Sequence, residues 1–244
     1  MTRPAMAVRA AAIEWRRSCH DRSVLAGLGL TLLPVVSLLG SLPDDPRNIP
    51  VELLASLADP LGVALLADVA MIAAACTSVR TSMAFHDGIV GRDTLALGHG
   101  LPMLMRAVNS VLVGALLGAV AWGVAALAVR LVAGVGVVDL QLLGPAIVVG
   151  SWAGAWGFAI GSLVRAPLVV LLVTLLTLAP ALLLASMAQD AVAATPLGSL
   201  LDAVGFPIED GRGKLGVASV ITVAWLGTLL AVAILSDRLR PRLA

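Results

Sequence analysis

Hydrophobic residues fall into six long runs, Val24–Gly40, Leu61–Val79, Ala107–Val129, Leu142–Val164, Pro167–Met187 and Leu215–Leu235, with polar residues gathered between them. Each run is roughly 17–23 residues, and at about 1.5 Å of rise per residue a helix of that length crosses a hydrocarbon core of about 30 Å. None shows the two-residue alternation of an outer-membrane strand. The expected fold class is therefore all-α, a polytopic membrane protein of six transmembrane helices. The runs leave no stretch for a separate soluble domain. The expected organisation is a segment 1–23, a six-helix domain 24–235 and a tail 236–244.

Segment 1–23 has no small-residue cleavage site, so it reads as a retained helix and not as a signal peptide. Val8, Ala12, Trp15 and Cys19 share one helix face, while Arg9, Arg16 and Arg17 fall elsewhere on the wheel. This pattern predicts a basic amphipathic helix at the membrane surface with Trp15 as interfacial anchor; a plain basic flank that enforces topology is the other reading. Between the runs, the stretch Ser41–Pro60 holds Pro43, Pro46, Pro50 and the Asp44–Asp45 pair, with a short helix expected over Val51–Asp59. Arg80–Arg106 is expected to be the longest cytoplasmic connection, and Ala188–Lys214 the longest outer one, with a short amphipathic helix at Pro196–Val204 before the turn-rich 205–213. Pro34, Pro145 and Pro180 sit within or near span ends, where kinks are tolerated. Gly114/Gly118, Gly150/Gly154 and Gly157/Gly161 are small-xxx-small pairs suited to close helix packing.

Charge assigns the sides. Of the 16 basic residues, 12 group on one side (Arg3, Arg9, Arg16, Arg17, Arg22, Arg80, Arg92, Arg106, Arg165, Arg238, Arg240, Arg242) and 4 on the other (Arg47, Arg130, Arg212, Lys214). The positive-inside rule makes the first side cytoplasmic, with both termini inside a multi-pass protein of the cell membrane. With 59% hydrophobic and 13% charged residues, the chain has too little polar surface for a water-soluble fold. The net charge of +1 says nothing of partners, only its distribution does; the bilayer is the expected environment, and no nucleic-acid partner is expected.

Candidate chemistry is sparse. Cys19 and Cys76 both fall toward the reducing side, so no structural disulfide is expected. His20, His86 and His99 have no metal-pair spacing, and no metal site is expected. No intramembrane Ser–His pair exists for a protease. Asp87–Arg92 (DGIVGR) is similar to part of the CDP-alcohol phosphotransferase signature, but position 84 is Ala and no acid lies between Asp93 and Asp139, so the carboxylates that would hold the metals are missing. Gly213–Lys214 lacks the earlier glycine of a P-loop. Within the spans only Asp68 is ionisable near mid-depth, and a carboxylate there is costly unless protonated, paired or facing a wet cavity. Three readings stand: a substrate path or subunit seam, a span shifted toward an interface, or a structural hydrogen bond to Asn109 or Ser110.

Three stretches together resemble the membrane permease of type-2 ABC transporters (the ABC-2 family). They are the Arg-rich N-terminal helix, the segment Ala84–Leu97 (AFHDGIVGRDTLAL) and the tight turn in Gly154–Pro167 (GAWGFAIGSLVRAP) running on to Pro180. Ala84 stands where the family commonly has Glu. The resemblance implies a permease subunit with no catalytic residues, paired with a second permease, same or related, and docked on an ABC ATPase dimer that carries the ATP and Mg. It further implies that the segment after span two transmits nucleotide-driven closure, with Phe85 as apolar knob and His86, Asp87, Gly88, Arg92 and Asp93 around it. The expected activity is export of an amphiphilic or hydrophobic substrate. A secondary transporter and a non-transport membrane assembly factor are the alternatives.

Overall fold

The computed structural model describes residues 3–40, 51–97, 100–133, 142–184, 187, 189–206 and 215–239. Pro43, Pro46 and Pro50, the Asp44–Asp45 pair, Asp139, most of the turn-rich 205–213 and the tail from Arg240 lie outside these residues. Among the described residues all regular structure is helical: α1 (Arg3–Cys19), α2 (Arg22–Leu30), α3 (Leu32–Gly40), α4 (Val51–His86), α5 (Ile89–Leu97), α6 (Gly100–Ala133), α7 (Leu143–Leu163), α8 (Pro167–Leu178), α9 (Pro180–Leu184), α10 (Gln189–Val192), α11 (Pro196–Ala203) and α12 (Leu215–Leu239). Among the described residues six stretches are long and apolar enough to cross a membrane: Arg22–Gly40, Pro60–His86, Gly100–Val132, Leu143–Leu163, Pro167–Leu184 and Gly216–Ser236.

Two spans are broken where proline predicts it. Pro34 has no N–H for the carbonyl of Leu30, and the first span divides into α2 and α3 at Thr31. Pro180 likewise divides the fifth span at Ala179. Pro60, by contrast, lies inside α4, so the expected short helix over Val51–Asp59 is continuous with the second span.

α7 is the axis of the bundle, and its glycines explain why. Gly150, Gly154, Gly157 and Gly161 follow 4-3-4 spacing and so share one helix face. A Cβ on Gly150 would run into the carbonyl oxygen of Gly114, and one on Gly114 into that of Gly150; Gly154 meets the Ser110 carbonyl and Gly118 that of Ala146. Lower on the same face, Gly157 and Gly161 meet the carbonyls of Ala74 and Ser78 on α4. The α6–α7 and α4–α7 crossings are thus backbone against backbone, which only glycine permits. All three small-xxx-small pairs are consumed inside the chain.

Around α7 the remaining helices are tied by aromatic and hydroxyl groups. Trp152 stacks on Trp156 with centroids 4.8 Å apart, and Trp156 meets Trp225 of α12 edge-on at 6.4 Å. Trp156 Nε1 donates to Thr177 Oγ1 of α8 at 3.1 Å. The short helix expected at Pro196–Val204 is present as α11, and every residue from Pro196 to Asp202 is buried. Thr195 caps it, accepting from Gly198 N at 3.0 Å, and Thr222 Oγ1 of α12 donates to Ser199 Oγ at 3.2 Å.

Candidate functional site

The densest polar chemistry lies at the end of the bundle formed by α1, α5 and the near ends of α4 and α6. On α1, Ala10, Glu14 and Ser18 repeat every four residues and face inward; Glu14 is only 6% exposed. Val8, Ala12, Trp15 and Cys19 all lie on exposed surface. Glu14 and Ser18 therefore face the protein with Ala10, while Val8, Ala12, Trp15 and Cys19 face outward, as do Arg9, Arg16 and Arg17.

Glu14 is buried because arginines from two other helices reach it. Arg106 of α6 places Nε 3.2 Å from Glu14 Oε1 and donates from a terminal nitrogen to Asp93 Oδ2 of α5 at 2.6 Å. Arg80 of α4 donates through Nε to Asp21 Oδ2 at 3.0 Å and through a terminal nitrogen to Ser18 Oγ at 2.8 Å, with Glu14 Oε2 at 3.6 Å. Arg17 of α1 grips Asp93 with two bonds, 2.6 and 3.2 Å, and contacts Glu14 at 3.1 Å. With its amide oxygen turned to Arg80, Asn109 accepts from both terminal guanidinium nitrogens at 2.8 Å. Asp21 also caps α2, accepting from Ser23 N at 2.9 Å. Three carboxylates thus meet three guanidiniums, so the cluster is charge-balanced and clamps α1 and α5 to the ends of two spans.

The clamp polarises its exposed members. Burial alone would push the Asp93 carboxyl up, but the hydrogen bond and charge of Arg17, then those of Arg106, outweigh it and hold Asp93 below its ordinary 3.8. The Asp93 hydrogen bond raises Arg17 above its ordinary value, against the effect of burial. A carboxyl held low in the folded state stabilises it above its unfolded pKa, and that contribution is lost as pH falls through the lowered folded value. The difference in thermal midpoint between the native chain and Asp93→Asn is therefore expected to stay constant from pH 8 to 5 and to shrink only as pH drops below about 4. Midpoints measured in detergent across that range check this. A difference that vanishes near neutral pH would exclude Asp93 as the group.

The residues the resemblance singles out separate into two sets. Asp93 turns inward and anchors α5. His86, Asp87, Gly88 and Arg92 are exposed; Gly88, at φ 66°, makes the left-handed turn between α4 and α5. Phe85 ends the second-span helix instead of standing on a loop, and its ring is covered by the Arg165 guanidinium, 4.3 Å from the centroid, from the turn between α7 and α8. The large apolar side chain that α5 does present is Leu95, 89% exposed. Sequence reasoning misses Leu95; the signal that could have found it is its place across the wheel of α5 from Asp93. Among the described residues no group of three His, Cys, Asp or Glu side chains is placed to hold a metal ion.

Asp68 stays apart from this cluster. Asn109, one partner the sequence offers it, is engaged by Ser18 and Arg80 instead. The carboxyl lies 12 residues from Arg80 along α4, about 18 Å along the helix and away from the cluster.

No protein-family model, curated protein or solved structure matches the chain. What the helices define is the class: a multi-pass, all-helical membrane protein with six candidate spans.

Proposed function

We propose that this chain is the permease subunit of an ATP-driven transporter of the ABC-2 type, exporting a hydrophobic or amphiphilic substrate with the ATP and Mg on a separate ATPase. The supporting observation is the build of α5. This nine-residue helix is fixed from behind by Asp93 to Arg17 and Arg106, and it holds Leu95 outward beside Arg92. A short helix rigidly tied to two spans and to α1 passes a push at its outer face into the bundle, and packed helices respond by shifting between discrete arrangements. In this reading α1 lies on the cytoplasmic membrane surface with Trp15 at the interface, both termini are cytoplasmic, and a second permease completes the unit. Leu95 takes the place of Phe85 as the apolar knob, because Arg165 already covers the Phe85 ring.

Leu95→Asp is the direct test. Interface anchors contribute on the order of 2 kcal/mol, which is about 30-fold in affinity. The variant is expected to insert normally and to retain α5, yet to lose co-purification of the ATP-binding-cassette ATPase. Arg92→Glu, a rim change, is expected to alter the salt dependence of binding more than its strength. Unchanged ATPase capture by Leu95→Asp would remove α5 from the interface.

A further inference from the structure

Neighbouring arginines of α1 are put to opposite uses. Arg17 is spent on Asp93 and Glu14. Arg16, the residue before it, is exposed, and its side chain has no hydrogen-bond or ion-pair partner among the described residues. Arg9 is exposed as well and lies two turns earlier on the same edge of the helix. Ala12 stands between them, three residues from one and four from the other, so the two arginines border the outward stripe of Val8, Ala12, Trp15 and Cys19. Val8 is 70% and Trp15 50% exposed. An apolar stripe edged by arginines suits the boundary between acyl chains and headgroups, where apolar side chains sink and guanidiniums reach out to the phosphates.

Charge selects the headgroup. Among the described side chains at this end of the bundle, Glu14, Asp21 and Asp93 are taken by Arg17, Arg80 and Arg106. What stays exposed is Arg9, Arg16, Arg22 and Arg92 against the single carboxyl of Asp87. That excess of positive charge complements a negative surface, and a guanidinium grips a phosphate through two parallel bonds. We propose that α1 binds acidic phospholipids, Arg9 and Arg16 each holding a headgroup phosphate, and that the clamp passes this binding to α5. Arg16 and Arg17 are consecutive, so a lipid that fixes the first fixes the backbone from which the second reaches Asp93. Glu14, also on α1, reaches Asp93 by a second route through Arg106. Order imposed on the outer edge of α1 therefore arrives at α5. The inference rests on the permease reading only in laying α1 on a membrane surface, and it stands without the ATPase.

Amide hydrogen exchange of the full chain in lipid nanodiscs tests it. Nanodiscs of phosphatidylcholine are compared with others that also contain phosphatidylglycerol. Each arginine near an anionic surface contributes about fivefold to binding, so phosphatidylglycerol is expected to raise protection of α1 by upward of about tenfold. Protection of α5 is expected to rise several-fold and that of α7 to stay unchanged. Arg9→Gln combined with Arg16→Gln is expected to lose both gains, and so is the native chain in molar salt, where screening acts within about 3 Å. Arg130→Gln, which removes an exposed arginine at the other end of α6, is expected to keep both. Asp93→Ala separates binding from its transmission: α1 still gains protection and α5 does not. An equal response of the native and doubly substituted chains, or no response in either, would overturn the lipid site. A gain on α5 that survives Asp93→Ala would overturn the link through the clamp. If the double substitution abolishes ATPase capture while neither helix responds to phosphatidylglycerol, the face belongs to the ATPase and the inference fails. The nanodiscs hold no ATPase and every chain keeps Leu95, so failure here and failure of Leu95→Asp to affect ATPase capture are separate outcomes.

Discussion

Gly154→Val is expected to abolish accumulation of the folded protein. The Cβ it introduces would collide with the Ser110 carbonyl oxygen and lie 3.0 Å from the Ser110 carbonyl carbon, both backbone atoms that no rotamer change moves aside. Relief requires α6 and α7 to separate, and that opens the crossing at Gly114/Gly150 as well. Overpacking a well-packed core costs about 1–3 kcal/mol where side chains can yield. Here the obstacle is the main chain at the axis of the bundle, so the loss sits at or above the top of that range. Gly150→Val is expected to behave alike. Gly123 on α6 and Gly144 on α7 have nothing within 4 Å of where a methyl group would stand, and alanine there is expected to be neutral or stabilising by up to about 1 kcal/mol. Membrane accumulation of the four variants, with thermal aggregation midpoints of the two alanine variants in detergent, gives the comparison; equal accumulation of Gly154→Val and Gly123→Ala would refute the backbone crossing.

The spans are legible in the sequence because a bilayer imposes a strong local rule, a continuous apolar run of fixed length, and all six candidate spans overlap the predicted runs. Their ends are less so. Reading from the first charge, the second span stops at Val79 and the third starts at Ala107, whereas α4 runs on to His86 and α6 begins at Gly100. The difference comes from Arg80 and Arg106, which look like boundary charges but are half-buried and buried within the cluster. Their partners on α1 are invisible to local pattern: the Arg80–Ser18 bond joins residues 62 positions apart, and Arg106 reaches back to Glu14. The same blindness explains α1 itself. Its apolar face is legible as an outward face, yet Glu14 looks like one more surface acid. For the glycines, spacing reveals close packing but not that the partners are α6 and α4. The shortened connection between spans two and three also changes the segment Ala84–Leu97, which falls on the end of α4 and on α5, a helix tied through Asp93.

Arg106→Ala is expected to release α1 and α5 together from the bundle. The side chain is 7% exposed and is the one group that faces both Glu14 and Asp93 from a span. Its removal leaves three carboxylates against two guanidiniums, with Glu14 still buried, and stripping one partner from a buried pair typically costs about 3–5 kcal/mol. Arg17, with its side chain 40% exposed, touches the same two acids, but screening by water limits Arg17→Ala to about 1 kcal/mol or less. The contrast between two arginines sharing the same carboxylates separates burial from mere pairing. Amide hydrogen exchange reads it locally: in Arg106→Ala, α1 and α5 are expected to lose protection while α7 keeps its own, and in Arg17→Ala both helices stay protected. Restoring charge balance provides the second arm. In Arg106→Met with Asp93→Asn the cluster again holds equal numbers of acids and bases, and the two substitutions are expected to be less damaging together than their separate costs predict. If the pair is simply additive, or if α7 loosens with α1 in Arg106→Ala, the cluster is part of the general packing of the bundle and not the clamp that ties α5 to the spans.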